Sequence, residues 1–368
     1  MRLEELSPLL TRVSLGQNLT IAETERAFDL LFAKDRESYF FTALIMGLLA
    51  KGITSDELLG FYRSEAKLIP QINAGIKPSN ITENSGTGGD KIKTFNVSTA
   101  AAFIIAGAGI YIPKQSYYAV TGIGGAGDLF REFGIDVMKT SNPKIIKQTL
   151  NKVGFVPYVA NFLTKPSKMS GVLSFLKKRE EISLNFITPF HLAANILAPV
   201  KMEKRIYGVF NNKYSTVLAQ LMQKLGYKRG LIVHGVDGLD EVSNIGKTEV
   251  TEFAVDKIKQ YVLSPNDLGV KKASVKSIKA VSREQNTIDF LRVLYDRDKG
   301  AKRDLVLVNA AASLYLMGKS ASFKEGTKLA KQILEDGRAV ARLEGLIKTL
   351  GDESKFRKWK IRAGIGQG

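Results

Sequence analysis

Cysteine is absent from the 368-residue chain, which excludes disulfides, thiolate nucleophiles and cysteine-based zinc sites. Histidine is almost absent. His191 and His234 are the two that occur, too few for a multi-histidine metal centre. A bound metal therefore has to rest on carboxylates, hydroxyls and substrate phosphates, which points to Mg²⁺. No apolar run reaches the roughly 18 residues of a membrane span. The opening MRLEELSPLL carries acids where a signal peptide needs a basic and then an apolar stretch. The expectation is a soluble, cytoplasmic protein without a membrane partner. Acids are also missing locally: residues 137–179 contain no Asp or Glu but nine Lys and Arg.

What the chain does have is positive charge, +18 overall, a field that draws anionic substrates and polyanions. The tail KFRKWKIR (residues 355–362) adds to it. Two readings stand side by side: solvated surface lysine, or a face that attracts phosphate or nucleic acid.

The length suits two domains, or one large domain with an appended lobe. Residues 1–72 read as helices without strand signals. Thr20 and Glu23 form a capping box, YFFTALIMGLLAKG stops at Gly52, and another helix starts near Ser55 and Asp56. KPSNITENS (residues 77–85) reads as a polar linker. Beyond it, NVSTAAAFIIAGAG is apolar on most sides and predicts a buried helix. IYIP, IDVM and FVPYVA read as short strands, separated by the helices DLFREFG and PKIIKQTLNKVG. Such alternation predicts a parallel sheet. Residues 166–195 are mainly helical in pattern and are expected to return to the helical lobe. A helix over YSTVLAQLMQKLG, an apolar strand GLIVHG, an antiparallel pair TEVTEFAV and KIKQYVL, and a helical C-terminal third complete the pattern.

Three stretches carry chemistry. In SGTGGDKIKTFNVST (residues 85–99), Gly86, Gly88 and Gly89 permit positive φ and close backbone approach. Successive free N–H groups make an anion nest. Asn96, Ser98 and Thr99 then bring polar groups to a helix N-terminus, where the dipole favours phosphate. This suits a diphosphate; the plainer alternative is a tight turn with a capped helix. It is not a P-loop, since no lysine follows the glycines at the required place. In LIVHGVDGLDEVS (residues 231–243), an apolar strand runs into a loop with Asp237, Asp240 and Glu241, either a metal loop at the carboxyl end of a parallel strand or a solvated acidic turn. GIGGAG (residues 122–127) spells GxGxxG. The helix after it is short and no acid stands where a ribose would need one, so the dinucleotide reading falls.

GTGGDKIKTFNVSTAAAF closely resembles the PRPP-binding segment of the anthranilate phosphoribosyltransferase family. HGVDGLDEVS resembles that family's metal loop, and the C-terminal DLVLVNAAASLYLMG resembles its last helices. The resemblance implies an α/β fold of the nucleoside phosphorylase/phosphoribosyltransferase type: a small all-helical lobe (residues 1–72, joined by about 166–195) and a large α/β domain (78–165 and 196–368) with a mostly parallel central sheet. It implies transfer of 5-phosphoribose from PRPP to the amine of anthranilate, with Mg²⁺ as cofactor, and a homodimer formed through the helical lobe. Gly86, Thr87, Gly88, Gly89, Asp90, Thr94, Asn96, Ser98, Thr99 and Lys114 would meet PRPP, with Asp90 and Lys114 as the catalytic pair. Ser98, Asp240 and Glu241 would hold the metal.

The acceptor half departs from the family. Where the family reads KHGNRSVSSKSGSAD, this chain reads KQSYYAVTGIGGAGD (residues 114–128). Gln115, Ser116, Tyr117 and Tyr118 stand at the acceptor positions. The arginine-bearing helix has no clear counterpart; Arg179, beside Lys177 and Lys178, is the nearest candidate. Anthranilate carboxylate needs a cation or several donors to offset its desolvation, whereas the tyrosines offer stacking faces and hydroxyls. Anthranilate is the default acceptor, with another aromatic or nitrogen base as the alternative. The other readings are a paralogue that binds nucleic acid through its basic surface, and a nucleoside phosphorylase, against which DGLDE argues. A lone His191 beside apolar residues reads as structural.

Overall fold

The computed structural model describes residues 3–35, 39–89, 92–119, 124–163 and 188–366. The chain opens with helices α1 (Ser7–Ser14), α2 (Ile21–Lys34), α3 (Tyr39–Lys51) and α4 (Ser55–Ala66). Capping boxes start two of them: Thr20 accepts from Glu23 N and Glu23 from Thr20 N ahead of α2, and Thr54 and Glu57 repeat the device ahead of α4. Phe28, Phe41 and Phe61 fill the space between these helices and are fully buried. Residues 164–187 lie outside the described residues, so most of the expected return to the lobe does too. The described end of that stretch does pack there: the Phe190 ring lies 4.9 Å from Phe61 and 5.8 Å from Phe41, centroid to centroid.

Then come α5 (Val97–Gly107), α6 (Ala126–Glu132), α7 (Val137–Thr140), α8 (Pro143–Val153), α9 (Pro189–Ala193), α10 (Ser215–Lys224), α11 (Val275–Ile278), α12 (Arg283–Leu294), α13 (Ala301–Leu316), α14 (Phe323–Glu335), α15 (Arg338–Leu350) and α16 (Glu353–Arg362). The strands are β1 (Asn84–Gly86), β2 (Ile112–Gln115), β3 (Phe155–Tyr158), β4 (Lys204–Gly208), β5 (Arg229–Gly235), β6 (Thr248–Ala254) and β7 (Ile258–Leu263). They form a five-stranded sheet in the order β1-β4-β5-β6-β7. Its β1-β4-β5 part is parallel and β5-β6-β7 antiparallel. The second sheet is the parallel pair β2-β3.

Side-chain alternation puts the two faces of the sheet in different cores. Ile206, Leu231 and Val233 face a core built around α5 and α13. Tyr207, Val209 and Ile232 face a core shared with α2, α3, α4 and α10. The first four helices thus close one face of the sheet. The apolar α5, whose residues from Ala100 to Ala106 are all buried, is the centre of the other.

Two local expectations fail. IDVM is not a strand: Asp136 accepts from Met138 N at 3.0 Å and opens α7, so the apolar pair belongs to a helix start. KPSNITENS is not merely a linker, because its end is β1. Its polar residues are there because this strand is buried among polar partners: Thr82, Glu83, Asn84 and Ser85 are all buried.

The two sheets meet at one bridge among the described residues, Ile81 with Tyr111. Tyr111 N donates to Asn80 O at 3.0 Å and Thr82 N to Tyr111 O at 3.1 Å. The next inward donor on β2 would be residue 113, which is proline and has no N–H. The ladder stops there, and β1 and β2 part towards their carboxyl ends.

Candidate active site

The parting strands β1 and β2, the start of α5 and the loop after β5 enclose a cavity of about 280 Å³. It is lined by Gly86, Gly88, Thr94, Asn96, Ser98 and Thr99 from the first glycine-rich stretch, by Lys114, Gln115 and Tyr117 from β2 and its continuation, and by Asp240 and Glu241. Asn195 and Lys93, which the sequence did not single out, also line it. Asp90 and Arg179 lie outside the described residues.

The glycine loop is locked to the acidic loop. Gly88 N donates to Asp240 Oδ2 at 2.7 Å. Thr87 N donates to Gly208 O at 2.9 Å, and Thr87 Oγ1 accepts from Phe210 N at 3.1 Å. Thr87 is therefore a fastening of the loop to β4. Gly88 and Gly89 have φ of +68° and +84°, which only glycine adopts without strain. A Cβ on Gly208 would overlap Asp240 O, and one on Gly86 would overlap the Asp240 carboxylate.

Helix α5 points its N-terminus into the cavity. Its N-cap Asn96 makes no side-chain capping bond, and among the described residues its Nδ2 has no partner. Asn96 N is fixed by Asn286 Oδ1 at 2.9 Å. The first-turn N–H groups and the hydroxyls of Ser98 and Thr99 are arranged for an anion. Thr94 is held at the rim by its antiparallel bridge with Lys279.

A smaller chamber of about 50 Å³ adjoins, lined by Asn84, Ser98, Asp240, Glu241 and Asn309 among others. Among the described residues no group of three or more His, Asp or Glu makes a ready metal cage. Two carboxylates and a hydroxyl beside an anion site nevertheless fit Mg²⁺, which takes few protein ligands and completes its shell with phosphate and water. Asn84 Oδ1, buried in the same chamber, has no partner among the described residues, a further hard oxygen. Asp237 does not join this set. It accepts from Leu239 N and Ser243 Oγ and shapes the loop.

Lys114 is 3% exposed, and its Nζ reaches Asn84 O at 3.5 Å. Burial pulls its pKa down, and Glu83 is the foremost of the carboxylates that oppose the shift. Burial pushes the Tyr117 phenol up, with Glu65 adding to it, so Tyr117 stays neutral and faces the cavity as a hydroxylated ring. The other two acceptor candidates point elsewhere. Ser116 is fully buried and donates to Lys114 O at 3.0 Å. Tyr118 lies under the guanidinium of Arg131 at 5.4 Å. His191 accepts from Thr188 N at 3.2 Å as part of a helix cap.

GIGGAG has its own geometry where it is described. Gly124 has φ of +134° and lies against the Arg283 stem and Asn286. Asp128 accepts from Ala119 N and Gly125 N, closing the loop. Gly124 and Ala126 line the cavity.

Sequence reasoning missed the polar network beneath the cavity. Glu83 and Arg205 form an ion pair, both side chains 0% exposed. Arg205 also donates to Ser85 Oγ at 2.8 Å, Ile196 O at 2.7 Å and Asn195 O. Burial alone would lower the Arg205 pKa, but Glu83 and nearby tyrosines hold it above its ordinary value. Gln115 donates from Nε2 to Leu197 O at 2.6 Å and Asn195 O at 3.2 Å. The one available signal was an acid and an arginine inside otherwise buried strands.

A helix N-terminus, an acidic loop and a lysine gather around one cleft, and the chain that folds this way carries the α/β domain of a glycosyl transferase. Residues 79–340 match the family model described as "Glycosyl transferase family, a/b domain". The chain is 30% identical over 332 residues to an anthranilate phosphoribosyltransferase of Methanococcoides burtonii, covering 90% of each chain. Among solved structures, the anthranilate phosphoribosyltransferase of Thermus thermophilus is 28% identical, with TM-score 0.81 over 93% of this chain and 98% of that one. The yeast enzyme in complex with PRPP and Mg shares the fold at 24% identity, with TM-score 0.81 over 94% of this chain and 98% of its own. The chain belongs to the anthranilate phosphoribosyltransferase family.

Proposed function

We propose that the protein transfers the 5-phosphoribosyl group of PRPP to the amine of anthranilate, giving N-(5-phosphoribosyl)anthranilate and pyrophosphate in tryptophan biosynthesis. The observation that carries this is the Gly88–Asp240 lock, which sets an anion-binding loop and an acidic loop around one cavity. Gly86, the side-chain amide of Asn96 and the hydroxyls of Ser98 and Thr99 bind the phosphates, while Gly88, its N–H given to Asp240, holds the loop in place. Lys114 and Asp90 complete the donor side. Thr87 and Gly89 shape the loop. Ser98, Asp240 and Glu241 would hold Mg²⁺, which neutralises charge on the departing pyrophosphate.

The anilinic amine is neutral near pH 7 and needs little base assistance. The protein's part is to hold the amine on the ribose C1 and to stabilise the leaving anion. Gln115 and Tyr117 form the acceptor wall, with Arg179 as the candidate partner of the carboxylate. Another aromatic or nitrogen-base acceptor fits the same wall.

The assembly we propose is a homodimer through the helical lobe. Support comes from α3, whose Tyr39, Ala43, Met46 and Ala50 form an exposed stripe at helical spacing, Tyr39 at 71% and Met46 at 44%. Met46→Lys is expected to give a monomer by light scattering, and an unchanged mass removes this assembly. A cytoplasmic location rests on the sequence reading.

The test of the function is calorimetry with PRPP and Mg²⁺, followed by pyrophosphate release against a panel of acceptors with anthranilate first. Absence of PRPP binding by folded protein refutes the reading. Release with a different base alone would keep the donor site and replace the acceptor.

A further inference from the structure

We propose that the buried Glu83–Arg205 pair is a positioning device that sets the width of the split between β1 and β2 and so holds the acceptor wall against the PRPP loop. The inference rests on the phosphoribosyltransferase reading for its kinetic consequence, but its structural half can be tested without turnover.

The split itself supplies the first argument. Past Pro113 no backbone rung joins β1 and β2 among the described residues. The next inward donor, Gln115 N, goes to a side chain instead: it reaches Glu83 Oε1 at 2.8 Å. A carboxylate thus stands where a carbonyl would in a continuous ladder. It spans the gap with the length of a glutamate side chain.

Arg205 fixes that spacer from behind. Its Nη2 pairs with Glu83 Oε2 and donates to Ser85 Oγ, while Nη1 holds Ile196 O. Charge-assisted bonds of this kind are short and directional. The network ends on the residues that face the substrates. Asn195 Nδ2 donates to Gly86 O at 3.0 Å. Gln115 is gripped at its N–H by Glu83 and at its amide by the carbonyls of Asn195 and Leu197. Gly86 belongs to the donor loop and Gln115 to the acceptor wall. Neither Glu83 nor Arg205 lines the cavity; both act through others.

A purely structural role is a poor account of the pair. A buried ion pair gives little net stability over well-packed apolar residues of the same volume. A charged spacer with a fixed length gives geometry, and misplacement of about 1 Å between reacting groups costs on the order of 100-fold in rate.

The experiment compares the full-length wild type with Glu83→Gln, Arg205→Met and the double variant. The double variant removes both charges of the pair together, leaving the buried Lys114 to face Asp240 and Glu241, and is the one expected to recover folding. Its expected kinetics are a loss of about 30-fold or more in kcat/KM for anthranilate, with the calorimetric Kd for PRPP within about threefold of wild type. Hydrogen exchange gives the readout that needs no activity. Peptides covering residues 112–119 should exchange faster in the double variant, while those covering 229–235 stay protected. Wild-type kcat/KM in a folded double variant overturns the proposal. So does faster exchange spread equally over both segments, or protection of 112–119 retained in every variant. If the wild type binds no PRPP, the function proposed above fails, and the exchange comparison still decides the positioning role.

Discussion

Glu65 sits in α4 at 3% exposure, and its Oε2 has no hydrogen-bond partner among the described residues. Burial raises its pKa to about 8. The folded state therefore keeps a proton that the unfolded state has lost above about pH 4.5. Where the native state binds more protons, stability falls as pH rises, here from about pH 4.5 to about 8, and then levels off. Glu65→Gln removes that loss. Its melting temperature should match wild type near pH 5 and exceed it at about pH 9 by the equivalent of a few kcal/mol; equal pH profiles would refute the assignment. A second residue-scale prediction concerns Gly86. An added Cβ meets the Asp240 carboxylate, so Gly86→Ala should displace the acidic loop and cost about 100-fold in kcat. Thermal unfolding should change little, which separates the effect from loss of fold.

At the scale of elements, the ends of helices were the most legible part. Thr20 with Glu23 announced α2, since a hydroxyl and a carboxylate three residues apart satisfy two orphan donors. At α4 the same device is buried. Glu57 is 0% exposed, accepts from Leu19 N and Thr54 N at 2.9 Å each, and pairs with Lys51 at 2.7 Å. Glu57→Ala leaves the Lys51 ammonium without its carboxylate, with Asn18 Oδ1 and Gly52 O as remaining acceptors, a loss expected at about 3 kcal/mol in denaturant unfolding. Glu57→Gln keeps an acceptor for the N–H groups and should cost less. Short apolar runs were the illegible part. IDVM has a strand's composition, and its helical state is decided by the Asp136 cap. β1 was hidden because Thr82, Glu83, Asn84 and Ser85 look like linker residues; the buried partner of Glu83 and Ser85 is Arg205, about 120 positions away.

For the whole molecule, the alternation of helices and short apolar strands sufficed to indicate a parallel sheet, and the acidic loop after GLIVHG pointed to its carboxyl ends; that the glycine loop also follows a strand was not legible, because β1 reads as linker. What joins them was not legible, since Asn195, Arg205 and Glu83 come from distant segments and carry no motif. The charge of +18 should also show in binding. PRPP is a polyanion, and attraction by the net field is screened within about 8–10 Å at physiological ionic strength. The Kd for PRPP at fixed Mg²⁺ should therefore rise several-fold between about 50 and 300 mM salt, as read by calorimetry; a flat response would confine recognition to the pocket. The forked sheet has one more consequence. Its mouth is gauged by a side chain that no substrate touches, so the calibre of the acceptor slot can be retuned from behind. Shortening Glu83 to aspartate removes one carbon–carbon bond length, about 1.5 Å, from the spacer. A lineage could in this way trade one acceptor size for another while every residue in contact with the acceptor stays the same.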